Sequence, residues 1–336
     1  MNKISILNPP SSTFSYSRSP APTPLGLAVH LGWLGGDRAG EATAIRALRE
    51  GRLLSDAERH GEYALAHAFR QGSIMPPAWA RARGADTRVI GLSWTDESQL
   101  ILTQSRSGIV STRDLRARRF ALPICSGEQV DHIRASALRT LITVLSLDGL
   151  THDDVEIVPI EANPRKIFEA ETNALLRNEV DAIYVRGLTG MRLARTLGLR
   201  TVIDLRRHPE PLVRNNGCTL RTFTANAMVL KQFPDVSNGF LQLVIDAAEW
   251  ARLHPADAFS YAAHEGGVDE SLVREVYGDD LPANLDLNLH PGSVHALKDF
   301  TKFLAQWGFI EREIDVEQWI DYAPFTEVTA RSRRSA

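Results

Sequence analysis

Cysteine is scarce in this chain of 336 residues: Cys125 and Cys218 are its whole complement, and their spacing has no metal-ligand pattern. Neither a disulfide framework nor a zinc site is expected, and a reducing compartment is compatible with that scarcity. Long apolar runs are missing too, so no segment reads as a membrane span and no membrane insertion is expected. The opening stretch offers only a short apolar segment before Pro9 and Pro10, too little for the core of a secretion signal. Both absences give a cytoplasmic location as the expectation. No His-Glu-x-x-His, phosphate-binding Gly-rich loop or Gly-x-Gly-x-x-Gly stands in the sequence, so zinc, nucleotide and dinucleotide sites have no support; no metal and no cofactor is expected. An excess of basic charge is also lacking. Lys and Arg number 38 against 41 Asp and Glu, a formal net charge of −3, which argues against a nucleic-acid partner.

What is present is the composition of a globular protein, 43% hydrophobic and 24% charged, with length enough for two domains. From Ser111 onward strand and helix signals alternate. Arg119 to Pro123 reads as a strand, and Ser126 is expected to cap a long helix whose apolar residues Val130, Ile133, Ala137, Leu141, Val144 and Leu145 share a face. Strands at Val155 to Ile160, Asp181 to Val185 and Thr201 to Leu205 follow, separated by helices at Pro164 to Asn178 and Gly190 to Leu197. This is the pattern of βαβ units around a parallel sheet. Cys218 to Thr224 reads as a strand returning from that sheet, and the remainder is mostly helical. The expectation is an α/β protein of two lobes, the first made of residues 1–107 and 216–336 and the second of residues 108–215, with crossings near Gly108 and Asn215 and a ligand cleft between the lobes.

The first part of the chain holds the candidate chemistry. After a strand ending near Ser17, three prolines between Arg18 and Pro24 require a loop. Helices are expected at Leu25 to Leu34, Gly40 to Gly51 and Ser55 to Phe69. Arg70 to Pro77 reads as a loop, with Ser73 as the N-cap of a helix that stops at Gly84. A helix start beside a guanidinium favours an anion, and Arg70 offers a planar two-pronged donor to a carboxylate, sulfinate or sulfonate; the alternative is an exposed arginine closing a surface loop. Trp94, after a strand, is a candidate contact for an aromatic ligand. Cys125 and Arg186 both follow strand ends, where open α/β sheets place ligands. Cys125 reads either as a displaced nucleophile or as a small apolar residue in a turn, and Arg186 as a second anion contact or a surface charge.

Several blocks carry a resemblance. Tyr16-Ser17-Arg18-Ser19-Pro20-Ala21-Pro22, His60 followed by Arg70-Gln71-Gly72-Ser73-Ile74-Met75-Pro76-Pro77, Asp114 to Arg119, Asp153 to Ile160 and Val180 to Tyr184 resemble the hydroxybiphenyl sulfinate desulfinases. Those are cytoplasmic enzymes built on the two-lobed, type II periplasmic-binding-protein-like fold, in the branch that handles nitrate, sulfonates and taurine. The resemblance implies that fold, no cofactor, and a small anionic aromatic or organosulfur ligand. It implies catalytic roles at Ser19, His60 and Arg70, with Ser17, Gly72 and Ser73 around the ligand; Trp94, Cys125, Ser126 and Arg186, from their places in the chain, are further candidate contacts. It also carries two departures. Ser19 stands where the family has its catalytic cysteine, and Ser73 replaces the second glycine of an Arg-x-Gly-Gly motif. The function implied is cleavage of a carbon–sulfur bond, or, as the alternative, non-catalytic binding of sulfonates.

Overall fold

The computed structural model of the chain describes residues 14–34, 45–47, 68–128 and 130–335. Its first four described strands are β1 (Phe14–Arg18), β2 (Ile45–Ala47), β3 (Ala68–Ser73) and β4 (Thr87–Trp94). The next five are β5 (Gln99–Thr103), β6 (Arg119–Ile124), β7 (Glu156–Glu161), β8 (Ile183–Arg186) and β9 (Arg200–Asp204), and β10 (Leu220–Asn226) returns from them. One sheet has the order β2-β1-β3-β10-β4, with β10 antiparallel to both β3 and β4. The second lobe holds β8-β5-β9 and the parallel pair β6-β7, joined by a bridge from Phe120 to Ala182.

Apolar residues at alternate positions of the first sheet explain its two covered faces. Tyr16, Phe69, Phe223 and Ala225 pack with Phe240 and Val244 of the helix Pro234–Leu253. The other face contributes Leu92 and Val89 to a larger core with Ile74, Met75 and Ala78 of the following helix and with Phe300 and Leu304 of the helix Pro291–Gln306. Phe69 and Phe240 lie 4.9 Å apart, ring centre to ring centre, at a tilted angle. Such contacts hold β3, and hence Arg70, at a fixed height in the sheet.

The structure moves several sequence-based boundaries. Arg70 to Ser73 is not a loop but the end of a central strand, whose backbone groups are taken up by β1 on one side and β10 on the other. The helix that follows, Met75–Ala82, has Ile74 at its N-cap with no side-chain cap, and Ser73 instead spends its hydroxyl on Gly217 O at 2.9 Å. Ile45–Ala47 is a strand within the stretch expected as a short helix, because it finds a parallel partner in β1. The helix Pro24–His30 is shorter than expected, and Ser55 to His67, with His60, lies outside the described residues. Ser126 does not cap the long helix. Asp131 does, accepting from Arg134 N at 2.9 Å, and the helix runs His132–Ser146.

The first crossing also differs. β5 pairs with β8 and β9, so the chain leaves the first sheet between Trp94 and Gln99, earlier than the expected boundary near Gly108. Its return lies between Asp204 and Leu220. The two crossing segments are tied together: Gln99 N donates to Asp204 Oδ1 at 3.0 Å, and Gln99 Nε2 donates to Arg214 O at 2.7 Å. Buried Asn216 donates to Tyr184 Oη at 2.6 Å, and Asn215 to Ala296 O at 2.8 Å. These bonds satisfy polar groups that would otherwise destabilise the junction by about 1–3 kcal/mol each.

Candidate functional site

β1 and β3 run parallel, and their register sets the site. Ser17 lies opposite Arg70 and Arg18 opposite Gln71. The ladder extends one step beyond β1, since Ser19 N donates to Gln71 O at 3.0 Å; Ala21 N then donates to Ser19 O at 2.9 Å as the chain turns toward the helix Pro24–His30. Ser19 is thereby fixed by its backbone against the end of β3. A Cβ built on Gly72 would collide with Ser19 Oγ and would lie 3.7 Å from Arg70 Nη2. Glycine is what allows the hydroxyl to settle over the strand, and the same geometry brings Ser19, Gly72 and Arg70 into one corner.

Gln71 holds this corner from the opposite face. It is fully buried, accepts from Leu25 N at 2.9 Å and donates to Ser93 Oγ at 3.3 Å. One side chain therefore joins β3 to β4 and satisfies a backbone donor in the first turn of the helix behind the loop. Arg18 forms an ion pair with Glu265 at 2.6 Å. Burial draws the Arg18 guanidinium down, but the hydrogen bond and charge of Glu265 outweigh it and leave its pKa above the ordinary value. Beside them Tyr261 Oη accepts from Thr23 N at 3.3 Å, and burial pushes that phenol well above its usual range. The loop that carries Ser19 is thus pinned at both ends, by Arg18–Glu265 and by Thr23–Tyr261. Sequence reading missed Gln71, Glu265 and Tyr261. The available signal was a glutamine at an inward position between Phe69 and Ser73.

The remaining candidates lie elsewhere. Trp94 ends β4 and donates from Nε1 to Asp96 Oδ1 at 2.6 Å, and Asp96 also meets Arg214 at 3.1 Å. Arg186, at the end of β8, is committed to Glu97 at 2.6 Å. Burial would lower the Arg186 pKa, yet Cys218, Glu97 and Tyr184 together raise it. Gly187 adopts φ +60°, and a Cβ there would fall 2.8 Å from Glu97 Oε2, so the same carboxylate fills the space beside the glycine.

Cys125 follows β6 and is buried; its N–H donates to Asp131 Oδ2 at 2.8 Å. Its thiol is pushed up to about 12, first by burial and then by Asp131, Glu171 and Glu161. A thiol held that high carries almost no thiolate at neutral pH, so the reading of Cys125 as a displaced nucleophile gives way to that of a buried turn residue. Ser126 points its hydroxyl to Glu161 Oε2 at 2.9 Å. Of the sequence-predicted residues, the structure therefore gathers Ser17, Ser19, Arg70, Gly72 and Ser73 at the ends of β1 and β3. It leaves Trp94 on β4 and puts Cys125, Ser126 and Arg186 in the second lobe.

A guanidinium beside a hydroxyl and the backbone of a glycine is suited to oxygen-rich anions, because the donors converge and the glycine admits close approach. No group of His, Cys, Asp and Glu among the described residues is arranged to hold a metal ion.

Comparison with known proteins gives this corner a setting. The family described as NMT1/THI5 like matches residues 68–258. The 2'-hydroxybiphenyl-2-sulfinate desulfinase of Rhodococcus erythropolis is 24% identical to this chain, over 91% of each. Among solved structures, a cysteine-to-serine mutant of DSZB in complex with biphenyl-2-sulfinic acid is 23% identical with a TM-score of 0.75, covering 95% of this chain and 99% of that one. The periplasmic aliphatic sulphonate binding protein SsuA from Escherichia coli is 15% identical with a TM-score of 0.68, covering 93% of this chain and 92% of that one. The fold is therefore the two-lobed, periplasmic-binding-protein-like one.

Proposed function

From the premise that this chain belongs to the NMT1/THI5-like family, we propose that it recognises a sulfinate or sulfonate group of a small organic, aromatic compound in a cleft between its lobes, and that its reaction is a desulfinase-type cleavage of the carbon–sulfur bond. The observation that carries this reading is the corner itself: the Ser19 hydroxyl settled over Gly72 beside the Arg70 guanidinium. Arg70 supplies a fork for two sulfinate oxygens. Ser19 stands against the sulfur or the ring carbon, and Ser17, opposite Arg70 in register, borders the ligand. His60 is the proposed acid/base partner of Ser19. In the reaction the ring carbon takes a proton, the carbon–sulfur bond breaks, and the oxygen of a water molecule joins sulfur to give an arene and sulfite.

One observation favours a second reading, non-catalytic binding of an organosulfur anion. An alkyl hydroxyl is a far weaker acid than a thiol, whose reference pKa is about 8.5, so Ser19 is poorly matched to delivering a proton or attacking sulfur. The similarity to both a desulfinase and SsuA is compatible with either reading.

Sulfite release from benzenesulfinate and biphenyl-2-sulfinate, measured for the parent and for Ser19→Cys, separates the two. The desulfinase reading expects release that Ser19→Cys accelerates by about 10²–10⁴-fold, the usual worth of a positioned acid or nucleophile. Intact ligand bound by both forms, with no sulfite from either, overturns it in favour of the binder.

A further inference from the structure

Arg221, on β10, is a second buried guanidinium that the Ser19 corner does not use. Its neighbours in register are Ser73 on β3 and Ser93 on β4. Directly paired residues share a face of a sheet, so Arg221 lies on the face of Gln71 and Ser93. Arg70, one position before Gln71, lies on the other. Arg221 stands near the start of β10, level with the ends of β3 and β4, which is the edge where open α/β sheets bind ligands.

The side chain is 4% exposed, and its Nε has no hydrogen-bond partner. Among the described residues Arg221 forms no ion pair, whereas the nearby carboxylates are already matched: Glu265 to Arg18 and Glu97 to Arg186. Tyr277, whose phenol burial drives upward, also feels the charges of Glu97, Arg221 and Arg186. Among the described residues, no carboxylate is therefore left to neutralise Arg221. A buried arginine lacking a partner is costly in a folded protein unless an anion completes it.

We infer that Arg221 is the centre of a second oxyanion site, on the opposite face of the sheet from Arg70, which takes a small oxyanion such as sulfite or the carboxylate of a larger ligand. Because the two arginines face apart, one sulfinate group is not shared between them, and the Arg221 site stands whether the Arg70 corner is catalytic or only binds. A buried guanidinium whose Nε–H has no partner suits a compact oxyanion better than chloride.

The test uses sodium sulfite as probe, with sodium chloride at matched ionic strength as control, and reads the anion-induced rise in Tm of the full chain. Arg70→Ala is expected to keep a sulfite-specific rise and Arg70→Ala/Arg221→Met to lose it. Loss of the whole rise in Arg70→Ala alone, or its survival in the double variant, overturns the site. In sulfite-free buffer Arg221→Met is expected to be at least as stable as the parent, since an unmatched buried charge is removed. An Arg221→Met protein that fails to fold, or melts well below the parent, makes Arg221 a structural cation and equally overturns the proposal.

Discussion

Two strand ends in this molecule each present a small nucleophilic side chain, and they do so in opposite electrostatic surroundings. At the end of β1 the Ser19 hydroxyl lies beside the Arg70 guanidinium. At the end of β6 the Cys125 thiol is ringed by Asp131, Glu171 and Glu161. The intrinsically better nucleophile thus occupies the field that suppresses it, and the weaker one the field that would favour an anion. The reactivity of a strand-end residue is decided by what surrounds it as much as by its own chemistry.

Moving a thiol into the first setting is the sharpest way to break this comparison. In Ser19→Cys, iodoacetamide is expected to alkylate residue 19 roughly 10³-fold faster than Cys125, because a thiol raised to about 12 holds about 10³-fold less thiolate than one near 8.5. Peptide mapping of the two sites over time checks this, and equal rates would remove the electrostatic distinction. A smaller effect is expected from Gly72→Ala. The added methyl collides with Ser19 Oγ and displaces it from Arg70, so stability falls by about 1–3 kcal/mol and aryl sulfinate affinity by roughly tenfold. Thermal melting and calorimetric titration measure the two losses, and an unchanged affinity would separate Ser19 from the ligand.

The smallest effect concerns the acidic setting. Glu171 is 1% exposed, and burial, aided by the Asp131 charge, raises its pKa above 4.5 against the opposing hydrogen bond from its own backbone N–H. A raised folded-state pKa means that the native form holds its proton longer than the unfolded one. Its contribution is fully present below pH 4.5 and is lost as pH rises through the folded value. Glu171→Gln is therefore expected to gain Tm relative to the parent as pH rises above 4.5, with the difference vanishing below it. A constant difference across that range would show that Glu171 does not titrate in its buried place.

The helical regions were legible from sequence because their caps and periodicity agree with their packing. In the remainder expected to be mostly helical, Asp269 caps Glu270–Tyr277, and the helix Pro234–Leu253 follows its apolar face. The alternation from β6 to β9 was equally plain, but the single parallel sheet expected from it was not formed: β5 lies between β8 and β9, antiparallel to both, and only β6 and β7 pair in parallel. β3 was not legible. Phe-Arg-Gln-Gly-Ser looks like a loop because its polar residues have no visible partners along the chain, whereas in the fold Gln71 is satisfied by Leu25 and Ser93, and Ser73 by Gly217. Ser126 was a reasonable cap by composition, but Asp131 sits one turn closer to the helix and carries the charge. For the site, the residue types at Ser19, Arg70 and Gly72 were readable. Their convergence was not, since it depends on the parallel register of β1 against β3, which no local pattern encodes. Arg221 escaped notice for the same reason: a lone arginine in a strand shows its lack of a partner only when the neighbouring strands are in place.

The position of β10 has a consequence for how the molecule is made. The strand that flanks Arg70 comes from far along the chain, with Thr224 Oγ1 donating to Arg70 O across 154 residues. During synthesis the first sheet emerges with a gap between β3 and β4, and the contiguous second lobe is completed before that gap can close. The second lobe is therefore the natural early folding unit, and the first is finished by a late zippering step between two waiting strands. A released chain truncated before Leu220 would hold every strand of the second lobe, while β3 and β4 would have no strand between them.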